Sequence, residues 1–310
     1  MKPIVILGLF NADASYRADR MPKVGETILG HSFTLGPGGK GSNQAVAAAR
    51  AAGAGGAVHF VTRLGRDDFA AIARTVWAEA GVRPEVTEDP DSHTGSAFIF
   101  LEAATGNNAI IVAPGAGARI SPADLDARAG LIAGAGVFLT QLEQPIPAAR
   151  RGLELARAAG VTTILNPAPA AELDDALLRL CDYLTPNESE AETLTGLPVT
   201  SLAEAERAAD ALLARGVGAV ILTMGAQGAL YRDRTRSLHV PVVSAGPVVE
   251  TTGAGDAFNG GFAVALAEGQ TLPDALRFAS AVAGISVTRP GAAPSMPRRA
   301  EVDALLAKAR

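Results

Sequence analysis

Thr251-Thr252-Gly253-Ala254-Gly255-Asp256-Ala257-Phe258-Asn259-Gly260 is the stretch around which the rest of the chain is organised. Strand-like residues (Val242, Val243, Val248, Val249) lead into it, and a helix-like run with Phe258, Phe262, Val264, Ala265 and Leu266 leaves it. Glycines let a backbone turn tightly and come close to a ligand. The first turn of a helix leaves N–H groups unpaired, and the helix dipole adds partial positive charge there. Gly253, Ala254 and Gly255 therefore read as an anion cradle. Asp256 would repel a phosphate held beside it, so its use is that of a base, accepting the proton of an attacking hydroxyl. A donor cradle beside a carboxylate base is what phosphoryl transfer to an alcohol requires. A first-turn Asp stabilised by the dipole explains Asp256 alone, but not the glycine-rich run around it.

Composition narrows the setting. The 310 residues suffice for one large domain or two small ones, with a substantial core. A 48% hydrophobic and 19% charged composition is that of a soluble globular protein. Net charge is −5, and Arg150-Arg151 and Arg298-Arg299 are isolated pairs, which argues against a nucleic-acid surface. Met1 to Gly8 reads as a first strand, not a signal peptide. No apolar run reaches membrane-spanning length. The single cysteine, Cys181, excludes an intrachain disulfide and reads as a small buried hydrophobe. The expected compartment is the cytoplasm.

Outward from the decisive stretch, strands and helices alternate. Strands are expected at Ile4–Phe10, Val58–Thr62, Val137–Thr140, Val161–Leu165, Tyr183–Thr185 and Val217–Thr223. Helices are expected over 41–52, 67–80, 147–159, 172–180, from Glu188, and over 202–215, with Gly36 to Gly39 as a loop. This rhythm argues for a parallel sheet covered on both faces. Residues 12–35 and 95–113 break it; the latter contains a hairpin turning at Thr105-Gly106-Asn107-Asn108, and both read as a small second β layer, a lid.

Several short motifs sit at strand ends. Asn11 and Asp13 follow the first strand, and Glu143 follows Val137–Thr140, at the carboxyl edge where ligands bind in open α/β sheets. Gly38-Gly39-Lys40-Gly41-Ser42-Asn43 opens a helix. It matches neither a dinucleotide fingerprint nor a Walker loop, but its glycines admit a small ligand, and Lys40 and Asn43 can bond hydroxyls. Asn187 and Glu190 read locally as a capping box, and Thr223-Met224-Gly225-Ala226-Gln227-Gly228 as a hairpin turn. The four histidines show no metal-ligand spacing, and no G-x-S-x-G elbow is present.

Taken together, Asn-Ala-Asp (11–13), Gly-Gly-Lys-Gly-x-Asn (38–43), Gln-Leu-Glu (141–143) and Thr-Gly-Ala-Gly-Asp (252–256) resemble the motifs of the ribokinase (PfkB carbohydrate kinase) family. The resemblance runs from Asn11 to Ser295. It implies an α/β fold, a three-layer αβα sandwich with a mostly parallel central sheet and a small β-sheet lid, formed by residues 1–310 as a single domain. It implies transfer of phosphate from ATP to D-ribose at O5, with Asn11, Asp13, Gly39, Lys40, Asn43 and Glu143 on the sugar and Asp256 as base. Asn187, Thr223, Gly225, Gly228 and Gly255 fall at its nucleotide positions, and Glu190 at the position that orders Mg²⁺ through water. It also implies a homodimer through interlocked lids and a K⁺ site. The family's cation-binding Asp is here Glu250; Thr252, Ser286, Arg289 and Gly291 would add carbonyls and Ser295 a side-chain oxygen. Other acceptors of the same family (fructose, a deoxy sugar acid, a nucleoside) stay open. So does a non-catalytic sugar sensor, which the intact base and cradle disfavour.

Overall fold

Ile4, Val5, Ile6 and Leu7 are all fully buried, yet Ile4 and Ile6 join one apolar cluster while Val5 and Leu7 join another. A strand covered on both faces has no polar side, which is why this segment is continuously apolar. The computed structural model describes residues 1–308. In chain order the elements are β1 (Ile4–Leu7), β2 (Asn11–Ala18), β3 (Ser32–Gly38), α1 (Lys40–Ala52), β4 (Val58–Leu64), α2 (Asp68–Ala80), β5 (Val82–Glu88), β6 (Ser96–Glu102), β7 (Asn108–Ala113), α3 (Pro122–Asp126), α4 (Ala129–Ala133), β8 (Val137–Thr140), α5 (Ile146–Ala158), β9 (Thr162–Leu165), α6 (Asp175–Leu178), β10 (Tyr183–Leu184), α7 (Glu188–Thr195), α8 (Leu202–Ala214), β11 (Ala219–Thr223), β12 (Ala229–Arg232), β13 (Ser237–Val240), α9 (Ala254–Ala267), α10 (Leu272–Ser286) and α11 (Arg299–Lys308).

A nine-stranded sheet runs in the order β13-β12-β11-β10-β9-β8-β1-β4-β5. It is parallel from β5 to β11, and β12 and β13 add an antiparallel end. The cluster on one face takes residues from α1, α2, α9 and α10; the cluster on the other takes them from α3 to α8. A second sheet, β3-β2-β6-β7, holds the residues that break the rhythm. Its β2–β6 pair is parallel and its outer pairs antiparallel. The small sheet leaves Phe33 54%, Leu35 42% and Ile111 66% exposed on one face, an apolar surface without cover in the single chain.

The alanine-rich α1 has a packing reason. A Cβ on Gly260 of α9 would lie 2.7 Å from Ala47 Cβ and 2.8 Å from Ala48 N. Small residues on both helices let α1 and α9 approach almost backbone to backbone, which sets the start of one helix beside the start of the other.

Four expectations need correction. The first strand ends at Leu7, before Phe10. Gly36 to Gly38 are not a loop but the end of β3, paired with Asp13, Ala12 and Asn11. The helix expected over 172–180 shrinks to α6, because the Asp174 side chain accepts the Leu177 N–H and caps the helix there. Residues 242–249 form no strand. Their chain runs along α10 instead: Val243 N–H bonds Ser280 Oγ at 3.1 Å, and a Cβ on Gly284 would lie 1.9 Å from the Val243 carbonyl oxygen. Cys181 is buried, as expected, and burial pushes its thiol up. Among the described residues no helix is long and apolar enough to cross a membrane.

Candidate active site

The start of α1 supplies one wall. Gly39 stands at its N-cap with φ +86°, and a Cβ there would lie 2.6 Å from the Leu9 carbonyl oxygen. Only glycine serves such a position without strain. Just beyond it, Lys40 N–H donates to Glu143 Oε2 at 2.7 Å, joining α1 to the loop after β8. A Cβ on Gly38 would fall 2.1 Å from an Asp13 carboxylate oxygen, so this glycine makes room for the acid. Asn11 and Asp13 belong to β2 of the small sheet, so the sugar-contact candidates come from both sheets.

Opposite lies α9. Gly253 is left-handed (φ +77°) at its N-cap, and a Cβ there would meet Ala292 Cβ at 2.9 Å. The Ala254 N–H turns back to the Thr251 carbonyl at 3.1 Å, while Gly255 lies in the first turn, where N–H groups lack intrahelical partners. Asp256 follows, 6% exposed. Its Oδ2 accepts Asn43 Nδ2 at 3.1 Å and its Oδ1 accepts Gln44 Nε2 at 3.0 Å. The close packing of α1 on α9 makes both bonds possible.

A cavity of about 210 Å³ is lined by Lys40, Asn166, Asn187, Glu190, Thr223 and Gly253 to Asp256. A second, about 530 Å³ and mostly apolar, shares Asn187, Thr223, Ala254 and Gly255 with it and extends past Gly225, Gly228, Val242, Val248, Phe258 and Val287. Asn187 and Glu190 form the expected capping box, at 2.9 and 2.8 Å, while also lining the first cavity. Likewise Thr223 to Gly228 joins β11 to antiparallel β12, a hairpin that also forms cavity wall.

Electrostatics single out the carboxylates. Burial pushes Asp13 up to about 6 and Glu143 up to about 7. Burial also raises Asp256, opposed by the Lys40 charge and by the Asn43 and Gln44 amides. Glu190 is raised by burial as well. Glu190 and Asp256 line the smaller cavity, and Glu143 feels the charges of both Asp256 and Asp13; perturbed acids set so close together are a mark of a functional site. Asn11 Oδ1 and Asn43 Oδ1 are buried acceptors with no donor, and such groups are costly unless a ligand supplies one.

Glu250 lies apart from the sugar candidates. Its Oε2 accepts the Gly291 N–H at 2.8 Å, tying the chain before α9 to the loop after α10. Ser286 and Ser295 turn their hydroxyls onto the Ala283 and Ala292 carbonyls at 2.8 Å each, Ser286 O accepts the Arg289 N–H at 3.1 Å, and the Arg289 side chain pairs with Glu301. Among the described residues no group of three or more His, Cys, Asp or Glu is gathered for a metal.

The sequence reading missed Gln44, Asn166, Thr185 and Asn259. Thr185 donates to Asn259 Oδ1 at 2.7 Å, and Asn259 Nδ2 to the Gly255 carbonyl at 2.9 Å. Asn166 follows β9 at the ligand-binding sheet edge, a signal that could have found it. Gln44 carried none.

The chain resembles known proteins along nearly its whole length. A family model described as pfkB family carbohydrate kinase matches residues 1–299. The ribokinase of Bacillus subtilis (strain 168) is 39% identical over 306 residues, spanning 99% of this chain and 100% of the relative. The deoxyribokinase of Salmonella typhi is 36% identical over 296 residues, 95% of each chain. Among solved structures, that of Arabidopsis thaliana ribokinase complexed with ribose and ATP superposes with a TM-score of 0.90 at 33% identity, covering 98% of both chains.

Proposed function

Because this chain belongs to the pfkB family of carbohydrate kinases, we propose that it transfers the terminal phosphoryl group of ATP to the 5-hydroxyl of D-ribose. The observation that carries the reading is the position of Asp256. It lines the same cavity as the cradle residues Gly253 to Gly255 while bonded to Asn43 beside the acid-lined sugar wall.

Asn11, Asp13, Lys40, Asn43 and Glu143 hold the sugar, with the orphaned Asn11 and Asn43 oxygens accepting its hydroxyl protons, and Gly39 lets the ring lie against backbone. Asp256 takes the proton of the attacking hydroxyl as the bond to phosphorus forms. Backbone N–H groups at the start of α9, with the helix dipole, stabilise the transferring charge. The larger apolar cavity takes the nucleobase, with Thr223, Gly225 and Gly228 along the ribose and phosphates and Asn187 beside them.

Mg²⁺ fits the residues present. Glu190 puts a buried carboxylate on the cavity, and Mg²⁺ keeps several waters and takes few protein carboxylates, so it would be held by nucleotide phosphates and by Glu190 through water. The metal neutralises charge on the phosphates. For K⁺, Glu250, the backbone oxygens of Thr252, Ser286, Arg289 and Gly291, and Ser295 would supply the oxygens, and the bond from Gly291 N–H to Glu250 Oε2 holds two of these residues together. The bond from Gly291 leaves Glu250 lone pairs free for an ion. The exposed apolar face of the small sheet supports a lid that closes the sugar site and pairs with a second copy in a homodimer.

A second reading, a deoxy sugar as acceptor, is favoured by the likeness to the Salmonella deoxyribokinase. ADP release measured with D-ribose, 2-deoxy-D-ribose, D-fructose and adenosine separates the two. The highest kcat/KM is expected for D-ribose; a higher value for adenosine would overturn the sugar-site reading. Asp256→Asn is expected to lose roughly 10²–10⁴ in kcat while still binding both substrates. Near-normal turnover would remove Asp256 as the base.

A further inference from the structure

Asp256 is not held by the sugar site alone. Gln44 is fully buried. Its Nε2 donates to Asp256 Oδ1 at 3.0 Å and to Asn166 Oδ1 at 3.1 Å, and its Oε1 accepts Gln141 Nε2 at 2.5 Å. Gln141 directly follows β8. Asn166 directly follows β9 and donates to the carbonyl of Thr185, just after β10, at 2.9 Å. One side chain thus connects a single carboxylate, on a helix, to the carboxyl ends of three strands.

We propose that Gln44 is a positioning residue for the reaction: it fixes the plane of the Asp256 carboxylate against the rigid edge of the central sheet, so that a free lone pair faces the attacking hydroxyl. This rests on the phosphoryl-transfer reading above. The second torsion of an aspartate side chain is soft, with one broad well in place of three sharp ones. A carboxylate gripped at one oxygen still swings; gripped at both, it cannot. Asn43 grips Oδ2, but its own Oδ1 is unpaired, and it lies among the groups that receive the sugar. Gln44 grips Oδ1 with both of its amide hydrogens used and its carbonyl oxygen engaged. It has nothing left to offer a substrate, so its role is exerted through Asp256.

The same N–H favours the ionised carboxylate, against burial. The charged groups facing Asp256 are Lys40 at the start of α1, Glu143 after β8 and Glu190 on α7, with Asp13 on β2 facing Glu143. Removing the Gln44 amide leaves all four in place, so a change in titration would belong to the lost bond.

The test uses full-length protein and two variants. Gln44→Met keeps volume and removes every hydrogen bond. Gln44→Glu keeps shape and puts an acid against Asp256. Misplacing a reacting group by about 1 Å costs on the order of 10²-fold. For Gln44→Met, kcat is therefore expected to fall roughly 10- to 100-fold, with sugar and ATP KM within about 2-fold of wild type. For Gln44→Glu, the acidic limb of the kcat–pH profile is expected to move up by about one unit, because a like charge disfavours ionisation of Asp256. The only tryptophan, Trp77, donates to Ser42 Oγ on α1 at 2.9 Å, so its fluorescence reports whether α1 is intact. Native fluorescence with wild-type kcat in Gln44→Met would overturn the proposal. So would a Gln44→Glu profile whose acidic limb has not moved, even with lowered melting temperature, since that is the mark of a merely structural residue. A wild-type protein that phosphorylates no sugar would overturn the kinase reading and this one with it.

Discussion

Replacing Glu143 by Gln is expected to stabilise the free protein while weakening its hold on sugar. Burial raises the Glu143 carboxyl from 4.5 to about 7. A carboxyl whose folded pKa lies above its unfolded value binds protons more tightly when folded. Its contribution is most favourable below the unfolded value and is lost as pH rises through the folded value. The shift of about 2.5 units corresponds to about 3 kcal/mol of folding free energy sacrificed at alkaline pH, as an upper bound. Linkage puts the cost at about 1 kcal/mol near pH 5.5 and about 3 kcal/mol near pH 8.5. Gln stays neutral, and its carbonyl can still accept the Lys40 N–H. Glu143→Gln should therefore be more stable than wild type, by a margin that widens by about 2 kcal/mol over that range. Urea unfolding of both proteins at the two pH values, without ligand, measures it. Losing a charged hydroxyl acceptor should raise sugar KM by roughly 10- to 100-fold, from the worth of a charge-assisted hydrogen bond. A stability margin that is the same at both pH values would refute the claim that Glu143 is held against its own ionisation.

Gly253→Ala forces a left-handed residue and drives a methyl into Ala292, so kcat should fall roughly 10²- to 10³-fold, the worth of one oxyanion-hole donor; a wild-type rate would remove the cradle from the mechanism. Initial rates against KCl, at constant ionic strength with a tetraalkylammonium salt as balance, should rise with K⁺ more than with Na⁺ and rise further in Glu250→Asp. Equal rates with and without K⁺ in both proteins would eliminate the cation site and leave the kinase intact. Ile111→Asp puts charge on the apolar face of the small sheet and should shift the protein from dimer to monomer by light scattering, with higher sugar KM; an unchanged dimer would place the interface elsewhere.

The Gly-rich run at 253–256, the Gly-Gly-Lys-Gly opening of α1 and the apolar first strand, expected as far as Phe10 and ending at Leu7, were legible in the chain, because each is a local requirement. A helix start that binds an anion needs glycine and unpaired N–H groups, and a doubly covered strand needs unbroken apolar residues. The fold class followed from such local demands together with family likeness, and the candidate site residues were picked out on the same grounds. The segment 242–249 shows where that reasoning stops. Its valines are strand-like, but whether they pair with a sheet or lie along α10 depends on Gly284, which leaves room for the Val243 carbonyl. Gln44 shows it more sharply. In sequence it is one polar residue in an alanine-rich helix; its place behind Asp256 exists only because Gly260 lets α1 and α9 approach closely. Hydrogen bonds between side chains are set by distances of a few tenths of an ångström across elements far apart in the chain. Residue type can offer a donor or an acceptor, but only the packed helices and strand ends decide which of them meet.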